Sequence, residues 1–283
     1  MTEHRPAAER PGSGLPVGDL LDTATVTVDL PVPATALAIG AHPDDVEFGA
    51  GATLAKWASA GCRVTHLVLT DGSKGSWDPD ADLGLLVVER MHECRMAAAV
   101  LDGTGAADEV PSDRVQFLGR VDGELANDEP TRRDIARVIR TVRPDVVLGH
   151  DPWRRYRLHP DHRAAGFVTL DAIVAARDPH FFGDLDLEPH RPSALLLFEA
   201  DLPNHVERAA GFDMAKVDAL LCHHSQLEST MGVGDADGSH DGPTGAAGHG
   251  ADVFRGQIRW QLAQHGAVAG LDAGEAFHLI DRL

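Results

Sequence analysis

Short apolar runs alternate with amphipathic stretches along most of this 283-residue chain. "ATALAIGAH" (34–42), "RVTHLVLTDG" (63–72), "RVQFLG" (114–119), "DVVLGHD" (145–151) and "ALLLFE" (194–199) are apolar runs of strand length. Runs of this kind belong to strands buried on both faces, as in a parallel sheet. Between them lie "VEFGAGATLAKWASAG" (46–61), "LLVVERMHECRMAAAVLDG" (85–103), "EPTRRDIARVIRTVRP" (129–144) and "HPDHRAAGFVTLDAIVAAR" (159–177). These read as helices, the first two stopped by Gly61 and Gly103, and "ADVFRGQIRWQLAQHG" (251–266) reads as a last one. The alternation predicts an α/β fold: a Rossmann-like, mostly parallel sheet with helices on both faces, three layers joined by right-handed crossovers.

Two segments stand outside this rhythm. Residues 1–30 are rich in Pro, Gly and charge and are expected to form a loose N-terminal arm, leaving 31–283 as a single domain. Within it, "MGVGDADGSHDGPTGAAGHG" (231–250) has too little apolar surface to bury and is expected to be a flexible loop.

Open parallel sheets bind ligands beyond the carboxyl ends of their strands. Polar clusters follow three of the predicted strands: His42-Pro43-Asp44-Asp45, Thr70-Asp71-Gly72, and His150-Asp151 continuing into "HPDH" at 159–162. Carboxylates crowded as in "AHPDDVE" repel one another unless something holds them. A catalytic zinc takes three protein ligands and leaves a place for water, and two imidazoles with one carboxylate suit zinc and also ferrous iron. His42 and Asp45, three apart across a turn into a helix, can face one point, and a histidine of "HPDH" would complete the set. The carboxylate left over could act as general base. Each motif also reads as a plain helix start. Asp44 would be an N-cap with Glu47 as its capping-box partner, and Pro160 would sit in the first turn of the other helix.

Composition mainly excludes. A net charge of −19 argues against nucleic acid or an anionic membrane as the main partner. No stretch approaches the ~20 apolar residues of a membrane span, and the N-terminus lacks the basic start and apolar core of a secretory signal. Cys62, Cys94 and Cys222 are far apart and form no C-x-x-C pair, as in reduced thiols. A soluble cytoplasmic protein is expected.

"AHPDDVE", "TDG", "ERMHEC", "PDVVLGHDP", "HPDH", "CHHSQ" and a late "EAF" occur in that order. Together they resemble the LmbE-like, or PIG-L, family of metal-dependent N-deacetylases, which act on N-acetylglucosamine-containing and related small glycoconjugates. The resemblance implies that His42, Asp45 and His162 bind Zn2+, with Fe2+ as the alternative. It implies Asp44 as general base and His159 as the residue that stabilises the oxyanion and protonates the leaving amine, with Asp161 as its orienting partner. Arg90 matches a substrate-binding arginine with Glu93 beside it, and Asp71 and Glu47 fall near the site. The lead-in "DPWRRYRLHPDH" departs from the family, since Arg157 and Leu158 stand where many members carry a glycine, often after an aromatic. Tyr156 is a candidate oxyanion contact there, and the basic run 154–157 a candidate contact for an anionic part of the substrate. The expected partner is a small N-acylated sugar or glycoconjugate, with homo-oligomer formation left open. An amidase acting on a larger conjugate and a non-catalytic metal- or ligand-binding protein are the rival readings. The presence of both Asp44 and His159 disfavours the second.

Overall fold

The computed structural model describes residues 26–106, 110–233 and 246–283, the side chains of 246–249 excepted. The strands are β1 (Thr27–Val28), β2 (Thr35–Gly40), β3 (Arg63–Thr70), β4 (Val115–Arg120), β5 (Val146–His150), β6 (Ala194–Phe198), β7 (His205–Arg208) and β8 (Gly274–Ile280). The helices are α1 (Asp45–Ser59), α2 (Leu83–Asp102), α3 (Glu129–Val142), α4 (Pro160–Arg177), α5 (Asp213–Leu220) and α6 (Ala246–Ala267). All eight strands form one sheet in the order β1-β7-β8-β6-β5-β2-β3-β4. Neighbours run parallel except β8, which is antiparallel to both β6 and β7. Among the described residues, no helix is long and apolar enough to cross a membrane.

The continuous apolar strands are explained by the layers. Leu37, Ile39, Leu67, Leu69, Val147, Leu195 and Leu197 point to one face, against Ile135 and Ile139 of α3 and Val168 and Ala172 of α4. Their alternates Ala36, Ala38, Val64, Leu148, Leu196 and Phe198 point to the other, against Val46, Leu54 and Trp57 of α1 and Ala97 and Leu101 of α2. Both sets must be apolar, so the period-2 alternation vanishes from the sequence.

Three strands and α5 escape the pattern. β1 and β7 hold two and four residues, too few to show a periodicity. β8 is buried at one end only. Thr27 and Val28, placed in the expected loose arm, instead pair with His205 and Val206, while 1–25 lie outside the described residues. The expected loop 231–250 is likewise shortened at both ends. Met231 and Val233 are buried against Phe254, Ile258 and Leu262, residues 246–250 begin α6, and 234–245 lie outside the described residues.

The chain runs outward from β2 to β3 and β4, then returns to place β5 on the other side of β2. That reversal opens a crevice where the carboxyl ends of β2 and β5 diverge, the place where such sheets bind ligands. His42 follows β2 there and His150 ends β5. Two anchors hold the helices that complete the crevice. Glu275 of β8 accepts from the α1 backbone at Ala52 (3.1 Å) and Thr53 (2.7 Å), and is itself paired with buried Lys216 at 2.6 Å. Gly166 lets α4 lie against the end of β5: a Cβ there would stand 2.7 Å from the His150 carbonyl oxygen and 2.8 Å from Pro152 Cβ.

Gly166→Ala is therefore expected to push α4 off β5. It should cost about 1–3 kcal/mol by overpacking, measured as a shift of the denaturant midpoint. An unmoved midpoint would mean that the approach of α4 to β5 is looser than the geometry indicates.

Candidate active site

The turn that carries "HPDD" is strained. Asp44 has φ +122° and ψ −26°, a conformation that costs a non-glycine residue about 1–3 kcal/mol and that concentrates at functional sites. Although Asp44 precedes α1, its side chain makes no capping bond. Glu47 is fully buried without a hydrogen-bond partner, 3.7 Å from His66 Nδ1 and 3.6 Å from His223 Nε2. No capping box forms, so helix initiation does not account for these acids. "HPDH" serves both ends: Pro160 occupies the first turn of α4, and His159 Nδ1 accepts from the Asp161 backbone N–H at 3.3 Å.

Three side chains from the two loops converge. His42 Nδ1 lies 3.3 Å from Asp45 Oδ2 and 3.2 Å from His162 Nε2, and His162 Nε2 lies 3.3 Å from Asp45 Oδ1. Ligands bound at about 2.0–2.1 Å in a tetrahedral shell stand roughly 3.3–3.4 Å apart, so this donor set fits a zinc-sized ion. The far side of His42 strengthens the fit. Its Nε2 faces Asp122 Oδ1 and Asp161 Oδ2, each at 3.2 Å, so that nitrogen carries the proton and Nδ1 keeps its lone pair for a metal. His42, His159 and His162, and Asp45, His150 and His162, form overlapping donor groups that share His162, while Asp122 and Asp161 gather at Nε2 on the far side of His42.

The electrostatics are those of a cation site. Burial opposes a charge on His42, yet Asp122, Asp161 and Asp45 outweigh it and push the imidazole up to about 12. A proton is one cation these carboxylates can hold; a divalent metal, which needs the neutral ring, is the other. Burial pulls His162 down to about 4 against the pull of Asp45, leaving the ring neutral. The two neighbouring aspartates are driven apart. Burial would raise Asp45, but His162 and His150 hold it well below the usual carboxylate range. Burial pushes Asp44 up to about 6, with Arg90 opposing and Asp45 reinforcing the shift.

Asp44, Arg90, His159 and the three convergent side chains all line one cavity of about 490 Å³. Arg90 donates to the carbonyls of Gly72 and Pro43, both at 2.8 Å, and stands 3.4 Å from Asp44, so it braces the strained turn as well as facing the cavity. Glu93 accepts from the backbone and hydroxyl of Ser225 rather than from Arg90. The remaining expected residues sit elsewhere. The Asp161 carboxylate holds His42 and the backbone N–H groups of Gly123 and Leu125; only its own N–H touches His159. Asp71 accepts from Ser73 and Asp122 backbone N–H groups and orders a loop behind the cavity. Tyr156, 88 % exposed, does not line the cavity of the convergent donors but an adjoining cleft.

Sequence reading missed Asp122, Glu199 and the closeness of His150. Asp122-Gly123 follows β4 as Asp71-Gly72 follows β3, a strand-end signal that was available. His150 Nε2 lies 3.1 Å from Asp45, and Glu199 lies 3.5 Å from His150 Nδ1 and pairs with Arg157. Glu199 directly follows β6, and its φ of +56° turns it toward β5.

Comparison with known proteins gives this chain relatives. The family profile "PIG-L: GlcNAc-PI de-N-acetylase" matches residues 37–173. A diacetylchitobiose deacetylase from Thermococcus kodakarensis is 35% identical over 194 residues, 68% of this chain and 69% of that protein. A 1D-myo-inositol 2-acetamido-2-deoxy-alpha-D-glucopyranoside deacetylase from Streptomyces griseus is 31% identical over 209 residues, 65% of this chain and 60% of the relative, so less than two thirds of it is spanned. Among solved structures, the N,N'-diacetylchitobiose deacetylase from Pyrococcus horikoshii, in complex with its inhibitor MPG, superposes with a TM-score of 0.73. It is 26% identical, and the match covers 88% of this chain and 84% of that one.

Zinc added after chelation should bind at about one ion per chain, read by elemental analysis and chelator competition, and His162→Ala should weaken it by tenfold or more. Undiminished zinc affinity in that variant would remove His162 from the ligand set.

Proposed function

The chain belongs to the PIG-L, or LmbE-like, deacetylase family, and from that premise we propose that it is a metal-dependent hydrolase that removes an N-acyl group, acetyl in the first instance, from a small N-acylated sugar or amine-bearing metabolite. The observation that carries this reading is the convergence of His42 Nδ1, Asp45 and His162 Nε2 within 3.3 Å of one another, with Asp44 lining the same cavity. These three side chains would hold the ion. When bound, Zn2+ or Fe2+ supplies an acidified water and a polarised acyl carbonyl.

Every other part of the reaction falls to the chain. Asp44, pushed up to about 6, accepts the water's proton and still releases it near neutral pH. Arg90 keeps that carboxylate in place through the two loop carbonyls it grips. With Nδ1 of His159 occupied by the Asp161 N–H, the proton of the neutral ring resides on Nε2. Burial holds His159 below its ordinary value, so it works as a neutral donor to the oxyanion. The proton that Asp44 takes from the water then passes to the departing nitrogen as the C–N bond breaks, while the Nε2–H of His159 stays on the oxyanion. Acetate and a free amine leave. Asp161 and Asp122 act through His42, holding its Nε2–H so that Nδ1 faces the ion.

A dissolved, N-acylated small molecule suits a chain of net charge −19 better than nucleic acid or an anionic membrane. The free thiols Cys62, Cys94 and Cys222 suit the cytoplasm.

Acetate release from a panel of N-acetyl sugars tests the reading. Asp44→Asn should lower turnover by ~10²-fold or more, because an amide cannot take the proton. The base must be ionised, so kcat/KM should fall as the pH drops through about 6, or lower once a bound cation adds its own pull on Asp44. Full turnover in the variant, or after stringent chelation, would defeat the proposal.

A further inference from the structure

Beside the catalytic cavity lies a second cleft, of about 450 Å³, lined by residues 154–158 and reaching His159, His162 and Glu199. Those last three residues also line the catalytic cavity, so the two spaces adjoin across a shared wall. The cleft is basic in a strongly acidic chain: Arg154, Arg155 and Arg157 face a single carboxylate, Glu199. That carboxylate is already shared by Arg157, by Arg154 at 3.2 Å and by His150 at 3.5 Å. Among the described residues, the Arg155 guanidinium has no carboxylate within ion-pair distance. The Arg157 guanidinium is committed to the wall, facing Glu199 and Nδ1 of both His150 and His162; its side chain is 5% exposed and only its buried Nε has no acceptor.

The loop is also held in place. The backbone N–H of Trp153 donates to Asp151 (2.9 Å), that of Arg155 donates to Asp201 (2.6 Å), and Arg163 donates to the Leu158 carbonyl (3.2 Å). Tyr156 is kept at φ +61°, and both Tyr156 and Leu158 are almost fully exposed at the rim. Exposed guanidinium groups on a backbone held in place, with one carboxylate between Arg154 and Arg157 and none at the Arg155 guanidinium, are the complement of an oxyanion, whose oxygens they can bind in pairs.

We propose that this cleft binds an oxyanion substituent, a phosphate, sulfate or carboxylate, of the molecule whose N-acyl group lies in the neighbouring cavity. The inference rests on the deacetylase reading and names the class of substrate: an anionic N-acyl sugar. Glu199 tunes the cleft by holding Arg154 and Arg157 toward the shared wall, while Arg155 supplies the uncommitted charge.

The test compares N-acetylglucosamine with N-acetylglucosamine 6-phosphate and N-acetylmuramic acid. At low salt, at least one anionic sugar should show kcat/KM about tenfold or more above the neutral one, carried by KM. The phosphate and carboxylate arms tell the two sources apart, and the advantage should shrink as ionic strength rises. In the double variant Arg154→Gln, Arg155→Gln, with folding checked by thermal melting, the advantage should fall to roughly twofold or less. Calorimetric binding of the same three sugars to Asp44→Asn protein reads the preference without turnover. A binding preference without deacetylation of any sugar would refute the hydrolase reading and leave the cleft assigned. Equal binding of neutral and anionic sugars, or a preference untouched by the double variant, would overturn the inference.

Discussion

Four carboxylates buried around one point govern this structure. Asp44, Asp45, Asp122 and Asp161 are each 8 % exposed or less and all lie close to His42. Uncompensated, each buried ion would cost several kcal/mol. The fold answers with imidazoles, with the Arg90 guanidinium and with backbone N–H groups, and the cluster still draws a proton onto His42 with unusual force. A pocket so poised favours a divalent cation wherever imidazole lone pairs are offered at tetrahedral spacing. The strain at Asp44, the close approach of α4 at Gly166 and the Glu275–Lys216 anchor on α1 all maintain that arrangement.

Adjacent residues receive opposite duties from their surroundings. Asp44 and Asp45 are chemically alike and share a turn, yet the φ of +122° at Asp44 separates their side chains. Asp45 faces two imidazoles and stays ionised, whereas burial and the neighbouring Asp45 charge outweigh Arg90 at Asp44, which holds its proton more tightly. Environments that drive two titratable groups apart are the usual means by which one site supplies both a permanent charge and a proton acceptor. The residues behind the convergent side chains follow the same logic: Asp122 and Asp161 orient His42, and Glu199 with Asp45 brackets His150.

Much of this was legible along the chain. The apolar runs of β2 to β6 and the helices between them declare a parallel sheet, because strands covered on both faces leave no alternation to misread. "AHPDDVE" and "HPDH" were legible because the candidate ligands, base and acid are local to two short loop segments beyond the strand ends. β1 and β7 were not, since two and four residues carry no period and are strands only because β8 lies between β7 and β6. The 231–250 composition pointed to a loop throughout, yet its last residues are helical because the rest of α6 packs on α5 and β8.

Local order along the chain determined the α/β class, the crevice side of the sheet, and His42, Asp45 and a histidine of "HPDH" as candidates, with the family resemblance singling out His162. Only the tertiary structure decided that the Asp161 carboxylate serves His42 rather than His159, that Asp122 and Glu199 join the site, and that Tyr156 faces another cleft. The physical reason is distance. Side-chain partners separated by about a hundred residues are chosen by strand order and helix packing, which no local pattern encodes.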